Sequence, residues 1–344
     1  MNRSGLTASI VFTCLLSTSI AWAEEGDCVR GETTHGGNWW RETAAIMGTD
    51  IRVELWDTDE QHACEAIAAV MSEMHRLDEE MSPFIETSTL SLMNREAYQS
   101  PVPVGKEMFD LVNRSLDISR MTGGAFDVTY ASVGRYYDFR KGQKPADDER
   151  RRAILSIDYH YLAMNADDDS IGYRHDGVYV DLGGIAKGYA VDRGIDILVK
   201  RGITQGMVGA GGDSRILGDR FGEPWVVGIR DPRNRDKSVA VLPLMDVSVS
   251  TSGDYERYFI EDGVRYHHII DPKTGDSARS VTSVTIIGSD ATTTDALSTS
   301  VFVMGVERGL RLINQMTGVD AIIVDGHGEL HLSDSLMEMT ASNQ

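Results

Sequence analysis

Ile51, Val53 and Leu55 alternate with polar residues, the period of two that marks a half-buried strand. The period then changes. Thr58-Asp59-Glu60-Gln61 has the form of a capping box. Behind it Ile67, Met71, Met74 and Met81 recur at helical spacing, with the methionines read as core filler. A second helix is predicted over 106–121, burying Phe109, Val112, Leu116 and Met121 and stopping at Gly123-Gly124. Asp147 to Leu155 reads as a short charged helix, and Ile171 to Asp181 as a hairpin turning at Asp176-Gly177. A helix from about 185 to Lys200 follows, stopped by Gly202. Strands separated by glycine turns fill 205–288, including a hairpin around Asp262-Gly263. Helices from Thr293 to Met304 and on to Met316, then a strand at Ala321 to Val324, close the pattern. Strands grouped into hairpins among scattered helices predict an α+β fold.

The two ends fall outside this pattern. Arg3, an uncharged run from Leu6 to Ile20 and Ala21-Trp22-Ala23 together have the plan of a secretory signal peptide cut after Ala23. The run is short for a membrane span. The expectation is therefore an exported, periplasmic protein without a stable membrane anchor. Cys14 lies in the run but lacks a lipoprotein context. Residues 24–42 are polar and predict a flexible leader, 43–335 one domain, and 336–344 a tail. The formal charge of -20 becomes -21 when Arg3 leaves with the signal. That balance argues against nucleic acid or anionic lipid as a partner. A phosphate-bearing ligand would have to be held locally, by a metal, a lysine or backbone N–H groups. Cys28 and Cys64 remain after cleavage and can pair in an oxidising compartment.

Three stretches offer chemistry. In "DLGGIAKGYAVD" (181–192) two glycines and Lys187 open a helix whose free N–H groups suit an anion. Asp181 would repel phosphate and suits a ligand's ring or ribose. The competing reading is an ordinary strand–helix turn with a solvated lysine. In "TTTDALSTSVFVMG" (292–305) Asp295 and Thr299 stand at i and i+4 on one helix face, hard oxygen ligands suited to Mg²⁺. There the alternative is a surface aspartate and a threonine bonded to its own helix. In "YHHIIDPKTG" (266–275) neighbouring His267 and His268 on a strand face opposite ways, so one at most enters a given cleft. Such a histidine suits a general base or is structural, and the adjacency counts against zinc. No G-x-S-x-G elbow is present, and "GAGGD" (209–213) lacks the third glycine of a dinucleotide fingerprint, Ser214 standing in its place.

Taken together, the chain resembles the ApbE family, the FAD:protein FMN transferases. The resemblance runs through "MGT" (47–49), "MSPF" (81–84), "TGGAFDVT" (122–129), "DLGGIAKGYAVD", "GGDSRILG" (211–218), "STSGDYERYF" (250–259), "HIIDPKTG" (268–275) and "DALSTSVFVMG" (295–305). It implies a two-lobed fold of mixed or antiparallel sheets with flanking helices and the flavin nucleotide in the cleft between lobes. It implies an Mg²⁺-dependent enzyme that splits FAD, joins FMN by a phosphoester to a threonine or serine of a target flavoprotein, and releases AMP. Residue by residue, it places Met47, Phe84, Ala125, Phe126, Asp127, Asp181, Lys187 and Ile270 against FAD. The Gly184 carbonyl, Asp295 and Thr299 would hold the metal, and His268 would accept a proton. The target would be a subunit of a membrane redox complex. An Mg²⁺-dependent FAD pyrophosphatase and a non-catalytic flavin carrier are the competing functions.

Overall fold

The strand expected at Ile51–Leu55 spans Thr49–Asp57 in the computed structural model, which describes residues 27–234 and 236–342. The signal segment 1–23 lies outside them. Thr49–Asp57 is one of nine antiparallel strands in one sheet. Their spatial order is Val29–Thr34, Gly37–Ile46, Thr49–Asp57, Gly206–Ala210, Asp213–Leu217, Ser248–Gly253, Val281–Gly288, Asp320–Asp325 and Leu330–Leu332. The helices are α1 (Glu60–Met81), α2 (Thr89–Glu96), α3 (Gly105–Thr122), α4 (Ala131–Gly134), α5 (Asp147–Ala153), α6 (Ala186–Lys200), α7 (Ala291–Ile313) and α8 (Asp334–Ser342). The fold is α+β.

One face of the sheet carries α1, α6 and α7 side by side, α1 against α6 and α6 against α7. The alternation of strand side chains explains how both faces are filled. Val284 and Ile286 meet Leu297, Val301 and Phe302 of α7, whereas Val249 and Ile287 turn to the opposite face, with Ile229 and Ile322. Ile229 belongs to a separate hairpin, Trp225–Arg230 with Ser238–Leu244, that covers that second face. Beside the large sheet stand α2, α3 and a small sheet of Val102–Pro103, Ser170–Tyr173 and Leu162–Asn165. Among the described residues no helix is long and apolar enough to cross a membrane.

Several expectations need correction. The leader 24–42 is mostly sheet: Val29–Thr34 is the edge strand, and Trp39 and Trp40 in the next strand are buried. An edge strand exposed on both faces shows no hydrophobic alternation, which is why it reads as loose chain. The tail also has structure, because Leu330–Leu332 and α8 follow the strand expected to close the chain. The hairpin at Asp176-Gly177 does not form. Ser170–Tyr173 pairs back with Leu162–Asn165 through a glycine-free turn in which Asp169 takes φ 51°. Asp59 rather than Thr58 caps α1, accepting from the N–H groups of Gln61 and His62. Met121 is half exposed.

Cys28 and Cys64 are joined by a disulfide with Cα atoms 5.6 Å apart, tying the segment ahead of the edge strand to α1 across 36 residues. Replacing both by serine is expected to lower unfolding free energy by about 3 kcal/mol through the freed unfolded chain. Urea titrations of the two proteins, run without reductant, check this.

Candidate active site

Two glycines let α6 and α7 meet at backbone distance. A Cβ at position 188 would overlap the Ala291 carbonyl oxygen and stand 2.7 Å from the Cβ of Asp295. A Cβ at 184 would lie 3.5 Å from the Thr299 hydroxyl and 3.2 Å from the ring of Phe126. The spacing that puts Asp295 and Thr299 on one face of α7 therefore aims that face at Gly184 and Gly188. The first turn of a helix has N–H groups without intrahelical partners, and the Asp295 carboxylate accepts the one at Gly188 at 2.9 Å. Among the described residues no protein donor reaches the Gly184 carbonyl. Gly184, Gly188 and the side chains of Asp295 and Thr299 are thus brought together.

Lys187 joins the same cluster. Its ammonium donates to Asp213 at 2.7 Å and to both Asp295 oxygens at 3.2 and 3.3 Å. Burial works against the lysine's charge, but the two carboxylates outweigh it and raise its pKa above the ordinary value. Burial, with the like charge of Asp213 behind it, raises the pKa of Asp295. One cation facing two buried carboxylates leaves a negative surplus. That surplus is what a metal ion would neutralise. Behind it, Ser252 shares a hydroxyl hydrogen bond with Ser298 at 2.8 Å and approaches Thr299 at 3.4 Å.

The histidines separate as their alternation predicts. In His267 both ring nitrogens are used: Nε2 donates to the Ala278 carbonyl at 2.6 Å, and Nδ1 accepts from the Ile269 N–H at 3.3 Å. It is a core residue, edge-on to Phe302. His268, just past the strand Val264–His267, has a buried Nδ1 with no partner. Burial, then the positive Arg257, the neighbouring His267 ring and the positive Lys187, push its pKa down to about 3. A neutral imidazole with a free nitrogen is the proton acceptor this cluster offers.

Around it lie further expected residues. Burial raises the Asp181 carboxyl, and the Gly183 N–H, Arg257, Lys187 and Tyr130 each oppose that rise. Its Oδ1 accepts from the Gly183 N–H at 2.6 Å. Ala125 and Phe126 are buried beside this junction. Both Asp127 oxygens are engaged internally, one by the Thr129 N–H and hydroxyl and the other by the Tyr159 N–H. Asp127 thus shapes the 125–130 loop. Met47, at φ 55°, occupies the turn whose Gly48 carbonyl accepts from Arg257 at 3.1 Å. Ile270 packs with Val133, Tyr137 and Tyr130. Phe84 stands apart on the loop after α1, 85% exposed.

The residue-by-residue reading omitted Asp213, Arg257 and Tyr130. Asp213 and Arg257 lie inside stretches that carried the resemblance, "GGDSRILG" and "STSGDYERYF", so a signal was present.

The ApbE family model matches residues 47–323. A FAD:protein FMN transferase of Treponema pallidum is 33% identical over 301 residues, covering 81% of this chain and 82% of that protein. One from Vibrio cholerae is 35% identical over 246 residues, 69% of this chain and 72% of that one. Among solved structures, the ApbE protein of Thermotoga maritima superposes with a TM-score of 0.81 at 34% identity, covering 87% of this chain and 98% of that one. The flavin transferase ApbE of Vibrio cholerae does so with 0.78 at 27%, over 88% and 99%. With the family model spanning residues 47–323 and relatives above 30% identity matched over most of their length, the chain belongs to the ApbE family.

Proposed function

We propose that this chain is an Mg²⁺-dependent FAD:protein FMN transferase, which attaches FMN by a phosphoester to a threonine or serine of a target flavoprotein and releases AMP. The observation that carries the reading is the approach of α7 to the start of α6, which sets Thr299 against Gly184 and Asp295 against Gly188 and supports an oxygen-donor set of the Gly184 carbonyl, Asp295 and Thr299. The names of the curated relatives support the substrate and the reaction. All three donors are hard oxygens, with no nitrogen or sulfur among them, which suits Mg²⁺ over zinc. When bound, the ion supplies positive charge against the pyrophosphate oxygens.

The remaining steps belong to the side chains. Asp181 and the 125–127 loop hold the flavin nucleotide, with Met47, Ile270 and Phe84 as further contacts. Lys187 keeps the buried carboxylates from repelling the diphosphate, and Arg257 offers a second cation at the cleft. The target hydroxyl gives its proton to the His268 imidazole as its oxygen attacks the flavin-side phosphorus. The bond to the AMP phosphate breaks, and AMP leaves with that bond's electron pair.

Incubating the protein with FAD, Mg²⁺ and a flavoprotein subunit of a membrane redox complex tests the reading. Covalent flavin fluorescence on the subunit with equimolar AMP is the expected result. Free FMN with AMP and no labelled subunit means a pyrophosphatase, and FAD retained intact means a carrier. Because His268 is held neutral far below the ordinary imidazole range while burial raises the Asp295 carboxyl to about 7, the acidic limb of kcat/KM is expected to come from Asp295 and to move to lower pH as Mg²⁺ is raised to saturation. A limb centred near pH 6.5 that saturating Mg²⁺ does not move would refute the role given to His268. Arg257→Ala is expected to raise KM for FAD about tenfold while kcat changes less, as loss of one charged hydrogen bond predicts.

Export to the periplasm is part of the proposal. The residue pattern of 1–23 supports it, as does the Cys28–Cys64 disulfide, which persists in an oxidising compartment.

A further inference from the structure

The contacts between α6 and α7 form an antiparallel ladder with a constant register. Gly184 faces Thr299, Gly188 faces Asp295, and Asp192 faces Ala291 and Thr292, each rung four residues from the last. The first two rungs assemble the oxygen donors. The third is made by a residue with no part in the chemistry. Asp192 Oδ1 accepts the Ala291 N–H at 2.9 Å and Arg215 at 2.8 Å, and Oδ2 accepts the Thr292 N–H at 2.8 Å and the Thr292 hydroxyl at 2.6 Å. An aspartate within one helix thus binds the N-terminus of another. This is not the ordinary capping of α7, because Asp290 already does that, accepting the Thr293 N–H at 2.9 Å.

We propose that Asp192 is the positioning residue that locks the register of α7 on α6, holding Asp295 and Thr299 opposite Gly184. The inference rests on the oxygen-donor reading of the site. A slide of one residue along this contact would turn Asp295 and Thr299 off the shared face, since successive helical residues differ by about 100°. The glycine rungs resist approach but not sliding. Three of the four bonds to Asp192 come from α7; they are directional and fix the offset, while Arg215 holds the carboxylate in place.

Two readouts on the full chain test this. One is Mn²⁺ affinity, as a probe for the metal, measured by electron paramagnetic resonance without FAD. The other is hydrogen exchange of the Gly188 amide, whose partner is Asp295 across the ladder. Asp192→Asn keeps the shape but cannot accept from both Thr292 donors and Arg215. It is expected to weaken Mn²⁺ binding about tenfold or more, as loss of a supporting shell does, and to speed Gly188 exchange. Asp290→Ala removes the ordinary cap together with the ion pair to Arg114, neither of which touches α6, and should leave both unchanged.

If Asp290→Ala alters both readouts as much as Asp192→Asn, Asp192 is merely a cap and the proposal fails. It also fails if Gly188 exchange is unchanged in Asp192→Asn. Should Asp192→Asn not fold, Thr292→Val, which removes one of the four bonds, decides by a smaller shift in the same direction. A wild-type chain that binds no Mn²⁺ would sink the metal reading, while Gly188 exchange would still decide the register.

Discussion

Asp295→Asn is expected to abolish FMN transfer while leaving the fold as stable as before or more so. The expected fall in rate is about a thousandfold, or about 4 kcal/mol in the barrier, the scale set by losing a preorganised charge at the reacting phosphate. Stability should move the other way because of local charge. Lys187 faces Asp213 and Asp295 together, so the buried cluster holds one positive and two negative charges. Removing one negative charge leaves the Lys187–Asp213 pair matched, and the amide oxygen still accepts the Gly188 N–H. Asp295→Ala differs on that last point. It strands the Gly188 donor, at about 1–3 kcal/mol. Flavin fluorescence of the labelled target measures activity, and urea titration measures stability. A less stable asparagine variant that kept its activity would show that Asp295 is a structural carboxylate.

How far the sequence told this depends on whether partners are local. Asp295 and Thr299 were legible because their spacing is that of one helix face, and the structure brings that face to Gly184. Of the two histidines, the period of two showed that one would be excluded from the cleft. The excluded residue, His267, became clear from its bonds to Ala278 and Ile269. Asp192 and Asp213 were not legible as partners of α7 and Lys187. The first meets Ala291 across 99 residues and the second meets Lys187 across 26, and no local period connects them. Trp39-Trp40 misled for a different reason. Adjacent buried tryptophans break alternation because the sheet is covered on both faces there, Trp40 in the main core and Trp39 under the hairpin with Trp225. The Asp176-Gly177 signal lost to a pairing whose own turn relies on aspartate in the left-handed region, a conformation that Asp tolerates.

Gly188→Ala isolates the physical claim beneath the site, that two helix backbones touch. Alanine gains about 1 kcal/mol in helix propensity over glycine, so an open position would be stabilised. At 188 the added methyl meets the Ala291 carbonyl oxygen and, at 2.7 Å, the Asp295 Cβ. Neither is the end of a flexible side chain, so relief requires the helices to part. Overpacking of this kind costs about 3 kcal/mol, leaving a net loss of about 2 kcal/mol and a displaced Asp295. Transfer should fall with it. Gly194→Ala, on the same helix, is the control. Its methyl would meet Val208, Val70 and Met74 side-chain atoms at 2.9–3.2 Å, and a methionine end can rotate away. Its cost should therefore be smaller, and its effect on transfer slight, because it lies beyond the ladder. Equal stability losses in the two variants, with transfer intact in Gly188→Ala, would mean that α6 and α7 do not meet through backbone at this point. The donor set at Gly184 would then lose its geometric basis.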